Sequence, residues 1–203
     1  MNEIVTPPVA EDAAWASINI PLSVDKLTIF CRDVERLFRI NPMLEFQHFK
    51  TLGAQRYAFS GRNISQENPF EFDYTFAVTE LPDGLQVDYD QGVKSRTIFK
   101  IEPAPKGAKL TITDYYERLP ADQREQHLQE VDKSLLVWAK YLQSFLITWS
   151  RWSGIAPWRW YMRRIWQPMK PTARRITYAL LWITVVEIAL IALGVAIYLV
   201  EFR

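Results

Sequence analysis

The sequence predicts an α+β protein in which an antiparallel sheet is covered by one long helix, with a membrane-spanning helix beyond it. Three patterns carry that expectation. Between residues 44 and 117, apolar and polar side chains alternate in six short runs separated by turn residues, the period of half-buried strands. From residue 122 to about 152 the apolar positions step by three and four instead, so they form one stripe along a helix. Residues 176–200, ITYALLWITVVEIALIALGVAIYLV, are then apolar with one ionisable group, Glu187; roughly 20 such residues in helical form cross the hydrocarbon core of a bilayer.

Taken in order, residues 1–13 form a short polar lead-in. ASINIPL places Ala16, Ile18 and Ile20 on one side of a strand and Ser17 and Asn19 on the other, and Pro21 ends it. Ser23 is placed to cap a helix from Val24, and a second brief helix covers residues 33–39. Asn41-Pro42 closes the pair, because a residue before proline is pushed out of the helical region. Six strands are expected over residues 44–51, 55–64, 70–80, 85–90, 95–102 and 109–117. Between them lie Gly53, the stretch 67–69, Pro82-Asp83-Gly84, Gln91-Gly92 and the stretch 103–107, the residue types that turns require. With the opening strand this makes seven strands joined mostly by short connections, hence antiparallel.

The strictest alternation is FEFDYTFAV, where Phe70, Phe72, Tyr74, Phe76 and Val78 share one face and Glu71, Asp73, Thr75 and Thr79 the other. One face is dry and one wet. The following strands add Leu85, Val87 and Tyr89, then Phe99 and Ile101, then Leu110 and Ile112. The stripe of the long helix runs through Leu128, Val131, Leu135, Trp138, Leu142, Phe145 and Trp149. A dry sheet face and a dry helix stripe in one chain cover each other.

The join to the apolar run is WSRWSGIAPWRWYMRRIWQPMKPTARR, residues 149–175. Residues 1–150 hold 16 Lys+Arg and 21 Asp+Glu, a balance of 16 − 21 = −5, whereas residues 151–175 hold seven basic residues and no acid. Gly154 ends the long helix, and Pro157 suits the first turn of a short one over residues 158–166. Trp152, Trp158, Trp160 and Trp166, with Arg159, Arg163, Arg164, Lys170, Arg174 and Arg175, make an interfacial segment lying flat on a membrane or, alternatively, a basic face for a partner protein. Pro168 and Pro171 then turn the chain into the span. The excess of basic residues before the span places the preceding domain in the cytoplasm and residues 201–203 outside, which in a bacterium means a single-pass protein of the inner membrane. Within the span, Thr184, Glu187, Gly194 and Tyr198 fall near one helical face. Small and polar residues on one face serve helix association in lipid, so this face is expected to dock on an integral membrane partner or a second copy.

The composition excludes several classes. A mildly acidic body is unsuited to nucleic acid. Cys31 is the sole cysteine, which rules out an internal disulfide, a cysteine zinc cluster and a Cys-x-x-Cys pair. His48 and His127 are the only histidines and lie far apart, so no metal site is expected.

The opening strand running into a helix, INIPLSVDKLTIF, the segment RDVERLFRINP with Asp33, Arg36 and Pro42, and the long closing helix resemble the START-related superfamily, which includes polyketide cyclases, coenzyme Q-binding proteins and plant pathogenesis-related allergens. The likeness covers about residues 14–150; Pro21-Leu22-Ser23 departs from the usual proline-alanine before the first helix. The resemblance implies a helix-grip fold, a curved sheet wrapped around the long helix with an apolar cavity between them. In that family the cavity holds lipids, quinones, sterols or polyketides. Phe70, Phe72, Tyr74, Phe76, Tyr89, Phe99, Asp114, Tyr116, Leu135, Trp138 and Leu142 are the residues that such a cavity would use, and an ordinary filled core would use the aromatics equally well. No cofactor is expected apart from a bound lipid or quinone.

Chemistry is the weaker expectation. Asp114 continues the apolar phase of Leu110 and Ile112, which leaves two readings: an inward carboxyl, or a residue at the sheet's end bonded to a neighbour or water; Tyr116, His48, Asp73 and Arg96 are the other polar candidates. No nucleophile elbow, phosphate loop or spaced acid pair is present. Three functions are therefore carried forward. They are a membrane-tethered module for a hydrophobic ligand, a non-catalytic accessory subunit of a membrane enzyme complex, and a cyclase-like enzyme.

Overall fold

The computed structural model describes residues 13–66, 68–118 and 121–201, with residues 121–133 as backbone alone. The lead-in before Ala13, Glu67 and the tail after Glu201 lie outside the described residues, as do the side chains of Gln126, His127, Leu128, Gln129, Val131 and Lys133.

Strand β1 (Ala13–Ile20) opens the sheet, and helices α1 (Val24–Arg32) and α2 (Val34–Arg39) follow. The chain then makes a meander of β2 (Leu44–Gly53), β3 (Arg56–Asn63), β4 (Phe70–Leu81), β5 (Gly84–Tyr89), β6 (Arg96–Ala104) and β7 (Gly107–Tyr115), and α3 (Ala121–Trp152) closes the domain. The sheet order is β1-β7-β6-β5-β4-β3-β2, antiparallel throughout. α1 and α2 thus carry the chain from one edge of the sheet to the other, and the meander brings it back to β1. The opening and closing strands pair in register from Ala13 with Tyr115 to Ile20 with Ala108.

Local chemistry sets these boundaries. The Ser23 side chain accepts from the Lys26 amide and caps α1, and Asp33 ends α1 while its carboxylate caps α2 by accepting from the Arg36 amide. The strands alternate as their sequences require: in β7, Ala108, Leu110, Ile112 and Asp114 are buried. The concave face meets the α3 stripe, where Leu135, Trp138, Leu142 and Leu146 are almost wholly enclosed. Gln143 Nε2 donates to the Asn19 carbonyl at 3.0 Å, so α3 also covers part of the exposed edge of β1.

On the convex side, Asp90 accepts from the Thr75 hydroxyl and pairs with Arg56, both at 2.5 Å. The hydroxyl, with the guanidinium behind it, holds the Asp90 carboxyl below the usual carboxylate range. A depressed native pKa gives stability that is complete above the ordinary carboxylate value and lost as pH falls through the native one. Asp90→Asn is therefore expected to flatten the decline in urea midpoint between about pH 5 and about pH 2. Identical acid limbs for the two proteins would refute this.

The long apolar run becomes α5 (Pro171–Glu201), a helix of 31 residues. Its first turn starts at a proline, whose missing amide costs nothing there. At about 1.5 Å per residue it is roughly 46 Å long, enough to cross a bilayer's ~30 Å hydrocarbon core with turns to spare. It is the one described helix long and apolar enough for that, and every residue from 178 to 201 is exposed.

Candidate functional site: a cavity under the long helix

A cavity of about 320 Å³ lies between the concave sheet face and the turn of α3 that carries Ser134 and Trp138, within the size range of small-ligand sites. Phe59 and Phe72 come from the sheet, Phe38 from the end of α2, and Trp138 from α3. Each is there because it falls on the apolar side of its element. Phe38 is the hub of this wall, with its ring 5.5 Å from Trp138 and 5.6 Å from both Phe59 and Phe76. Asn41, Asn63, Ser65, Gln66, Gln91 and Lys94 give the rim a polar character. An apolar chamber with a few polar groups at one side suits a molecule that is mostly hydrocarbon with a polar end.

The eleven residues singled out from the sequence divide in two. Phe70, Phe72, Tyr74, Tyr89, Tyr116 and Trp138 line the cavity. Phe76, Phe99, Leu135 and Leu142 sit in packed core beyond it, and Asp114 lies behind the wall, fully enclosed. Period two selects a face but not a position along it, so strand and helix patterns cannot separate a cavity wall from the filled core next to it. Phe70 stands at the open end and is 39% exposed although it shares the phase of the buried residues. Phe38, Phe59, Gly92 and Lys94 were missed. Phe59 carried a signal in the alternation of its own strand; the other three enter through loop and helix geometry.

Gly92 matters for the shape of the mouth. It has φ +98°, and a Cβ there would stand 2.9 Å from the Tyr74 ring, so only glycine lets the β5–β6 loop lie flat against that tyrosine.

A polar cluster backs the cavity wall. Asp114 accepts from Thr97 Oγ1 at 2.5 Å and from the Tyr116 hydroxyl at 3.3 Å, and it pairs with Lys94 Nζ. Tyr89 shares a hydrogen bond of 3.1 Å with Thr97. Burial, with Asp114 adding to it, drives the Tyr89 phenol above its ordinary pKa; burial raises Tyr74 as well. Both phenols therefore stay neutral and serve as hydrogen-bond groups at physiological pH. The Asp114 carboxyl is engaged by three donors, those of Thr97, Tyr116 and Lys94. The remaining polar candidates are not gathered here: His48 and Asp73 are exposed, and Arg96 pairs with Glu117 at 2.6 Å. Among the described residues no group of three or more His, Cys, Asp or Glu is arranged to hold a metal.

Cys31 is 1% exposed, and burial pushes its thiol up to about 12. It is expected to resist alkylation at about pH 8 in the folded protein and to react once the chain is unfolded in urea. Modification at equal rates in both states would contradict its placement.

At the other end of α3, Arg36 is buried with its guanidinium 3.7 Å from the Trp149 ring centre and 4.5 Å from that of Phe30. Its Nε and Nη2 have no hydrogen-bond partner among the described residues, and desolvation depresses it to about 10, leaving it charged at neutral pH. The aromatic faces take the place of hydrogen-bond acceptors for this cation.

α3 then passes into an elbow made of α4 (Ala156–Tyr161) and one π-helical stretch over Met162–Trp166. This replaces the single short helix expected over residues 158–166. Trp158 packs 5.3 Å from Trp149, and Trp166 stacks 5.4 Å from Phe145. Arg174 does not reach outward as the charge pattern suggested. It is 8% exposed and donates to the carbonyls of Trp166 at 3.0 Å and Gln167 at 2.7 Å, satisfying the carbonyls that the end of the π-helical stretch leaves open. Trp152, Arg159, Trp160, Arg163, Arg164, Lys170 and Arg175 remain exposed. The elbow also carries the start of α5 past the β2 edge, where Thr172 Oγ1 donates to Glu45 at 3.5 Å, one residue from the cavity-lining Leu44.

No protein-family model matches the sequence, and no curated protein does. Solved structures do match the fold. The protein TTHA0849 of Thermus thermophilus aligns with a TM-score of 0.51 and 13% identity over 68% of this chain and 99% of its own. The Zhui aromatase/cyclase of Streptomyces sp. R1128 gives 0.51 and 10% over 70% of this chain and 97% of its own. The di-domain aromatase/cyclase StfQ of the steffimycin biosynthetic pathway gives 0.51 and 10% over 70% of this chain and 52% of its own. At such identities the likeness establishes architecture. The chain has the helix-grip fold of these aromatase/cyclase structures. To that fold it adds a C-terminal helix of membrane-spanning length.

Proposed function

We propose that this protein is a membrane-tethered binding module that takes a hydrophobic ligand, a lipid, quinone or polyprenoid, from the bilayer into the cavity between sheet and α3. The observation that carries the reading is the aromatic chamber of about 320 Å³ with a polar rim. The approach of Thr172 to Glu45 supports a tether that holds this chamber near the membrane. The basic elbow supports an inner-membrane placement with the helix-grip domain on the cytoplasmic side. Solvent extraction of the full chain, purified from native membranes in mild detergent, is expected to yield one hydrophobic molecule per chain by mass spectrometry. Ser134→Trp, at the cavity wall, is expected to abolish that molecule. An empty wild-type chain would overturn the proposal.

A second reading, an accessory subunit clamped in a membrane complex, is favoured by one feature of α5. Glu187, Gly194 and Tyr198 are exposed along α5, and Glu187 is the one ionisable Asp, Glu, Lys or Arg within residues 176–200. Thr184 contributes less than its sequence suggested, because its hydroxyl donates to the Leu180 carbonyl of its own helix at 3.0 Å. A carboxyl at mid-span is costly unless protein or water receives it. Glu187→Leu is expected to strip a co-purifying membrane protein, or a second copy, from the chain in mild detergent. An unchanged set of companions would sink the reading.

A further inference from the structure

We propose a second lipid site, distinct from the cavity: a groove at the elbow that takes an acyl chain of one anionic phospholipid while the basic elbow meets its phosphate. The groove has a volume of about 350 Å³ and is built by three elements that converge where the domain meets α5. Ser144 and Thr148 on α3, Trp158 and Met162 in the elbow, and Tyr178 and Leu181 on α5 form its walls. It lies some ten residues further along α3 than the Ser134 edge of the main cavity, about 15 Å at helical rise.

Three features select the occupant. First, the floor is aromatic because Trp158 and Trp166 turn inward against Trp149 and Phe145. Second, Tyr178 and Leu181 are 58% and 59% exposed, so a wall of the groove is apolar surface that the described residues leave open. These two residues sit in the first turns of the apolar run. If α5 crosses the bilayer, as proposed above, the groove opens where head groups give way to hydrocarbon, and an acyl chain is the apolar group available at that depth. Third, the exposed charges of the elbow segment itself are all of one sign: Arg159, Arg163, Arg164, Lys170 and Arg175 are exposed, and residues 151–186 contain no Asp or Glu. A phosphate with net negative charge complements that set, and a zwitterionic head group does so less well.

The test uses the full chain in lipid nanodiscs of equal parts phosphatidylglycerol and phosphatidylcholine, released for native mass spectrometry. One phospholipid is expected to stay with each chain, with phosphatidylglycerol favoured by about fivefold or more. Ser144→Trp and, independently, Thr148→Phe, both at exposed positions of α3, are expected to fill the groove and remove the retained phospholipid. Both should leave the hydrophobic ligand of the main cavity and the circular dichroism spectrum unchanged. R159Q/R163Q/R164Q is expected to keep a phospholipid but lose the preference for phosphatidylglycerol. Equal retention of the two lipids by the wild-type chain, or retention that neither groove-filling variant reduces, would overturn the site. A chain that does not float with vesicles of the same composition would overturn the membrane reading and this site with it, whereas an empty main cavity would leave this site standing.

Discussion

Truncating Trp138 to alanine is expected to cost about 3–5 kcal/mol of stability, the range for removing a large aromatic from a packed interior. Trp138 is 2% exposed, 5.5 Å from Phe38 and 5.7 Å from Phe99 by ring centres, and it forms the α3 side of the cavity wall. Its removal merges a new void with the existing chamber, so the surroundings have little to collapse onto. With a urea dependence of about 1–3 kcal/mol per molar, the midpoint should fall by about 1 M or more. Trp138→Phe separates packing from hydrogen bonding. The indole Nε1 is buried without a hydrogen-bond partner among the described residues, so Phe removes an unmet donor but leaves a smaller ring in the site; its cost should fall below that of alanine, at about 1–2 kcal/mol. A Trp138→Ala protein as stable as wild type would mean that α3 is not packed on the sheet as described.

Asp114→Ala is the second large effect, at about 3 kcal/mol. The carboxylate is fully enclosed, and its loss removes the acceptor that the Thr97 and Tyr116 hydroxyls share inside the domain. Lys94 suffers less, because its side chain is 35% exposed and can turn to water; this places the expected cost at the lower end for a broken buried pair. A double-mutant cycle with Lys94→Ala should therefore be non-additive, the pair costing less than the sum of its members by about 0.5 kcal/mol or more. Strict additivity would show that Lys94 and Asp114 act independently. If the cavity binds its ligand partly through Lys94, both single variants should also release that ligand during purification.

Much of the fold was legible because its determinants are local. Alternation in FEFDYTFAV requires one dry face whatever covers it, and the stripe through Leu135, Trp138 and Leu142 requires a sheet or helix to lie upon. Asp114 was legible in part: phase offered an inward carboxyl in β7 beside the alternative of a residue bonded at the sheet's end, and its full burial decided between them. The rest depended on distance in space. Lys94 sits in a loop with no periodicity, and its pairing with Asp114, 20 residues on, depends on how β5, β6 and β7 align. Arg174 shows the limit from the other direction. Seven basic residues in a row of 25 read as one exposed collar, yet one of them turned inward, because the end of the π-helical stretch left carbonyls that a guanidinium could satisfy.

The sequence by itself determined the element order, the dry faces and a helix long and apolar enough to cross a bilayer, since each follows from the spacing of side chains along a single element. The tertiary structure alone decided that the space between sheet and α3 is partly hollow, which aromatics border the hollow, and where a second groove opens at the elbow. A cavity is set by how far apart packed elements stand, and that distance is a property of the assembled chain that no single element encodes.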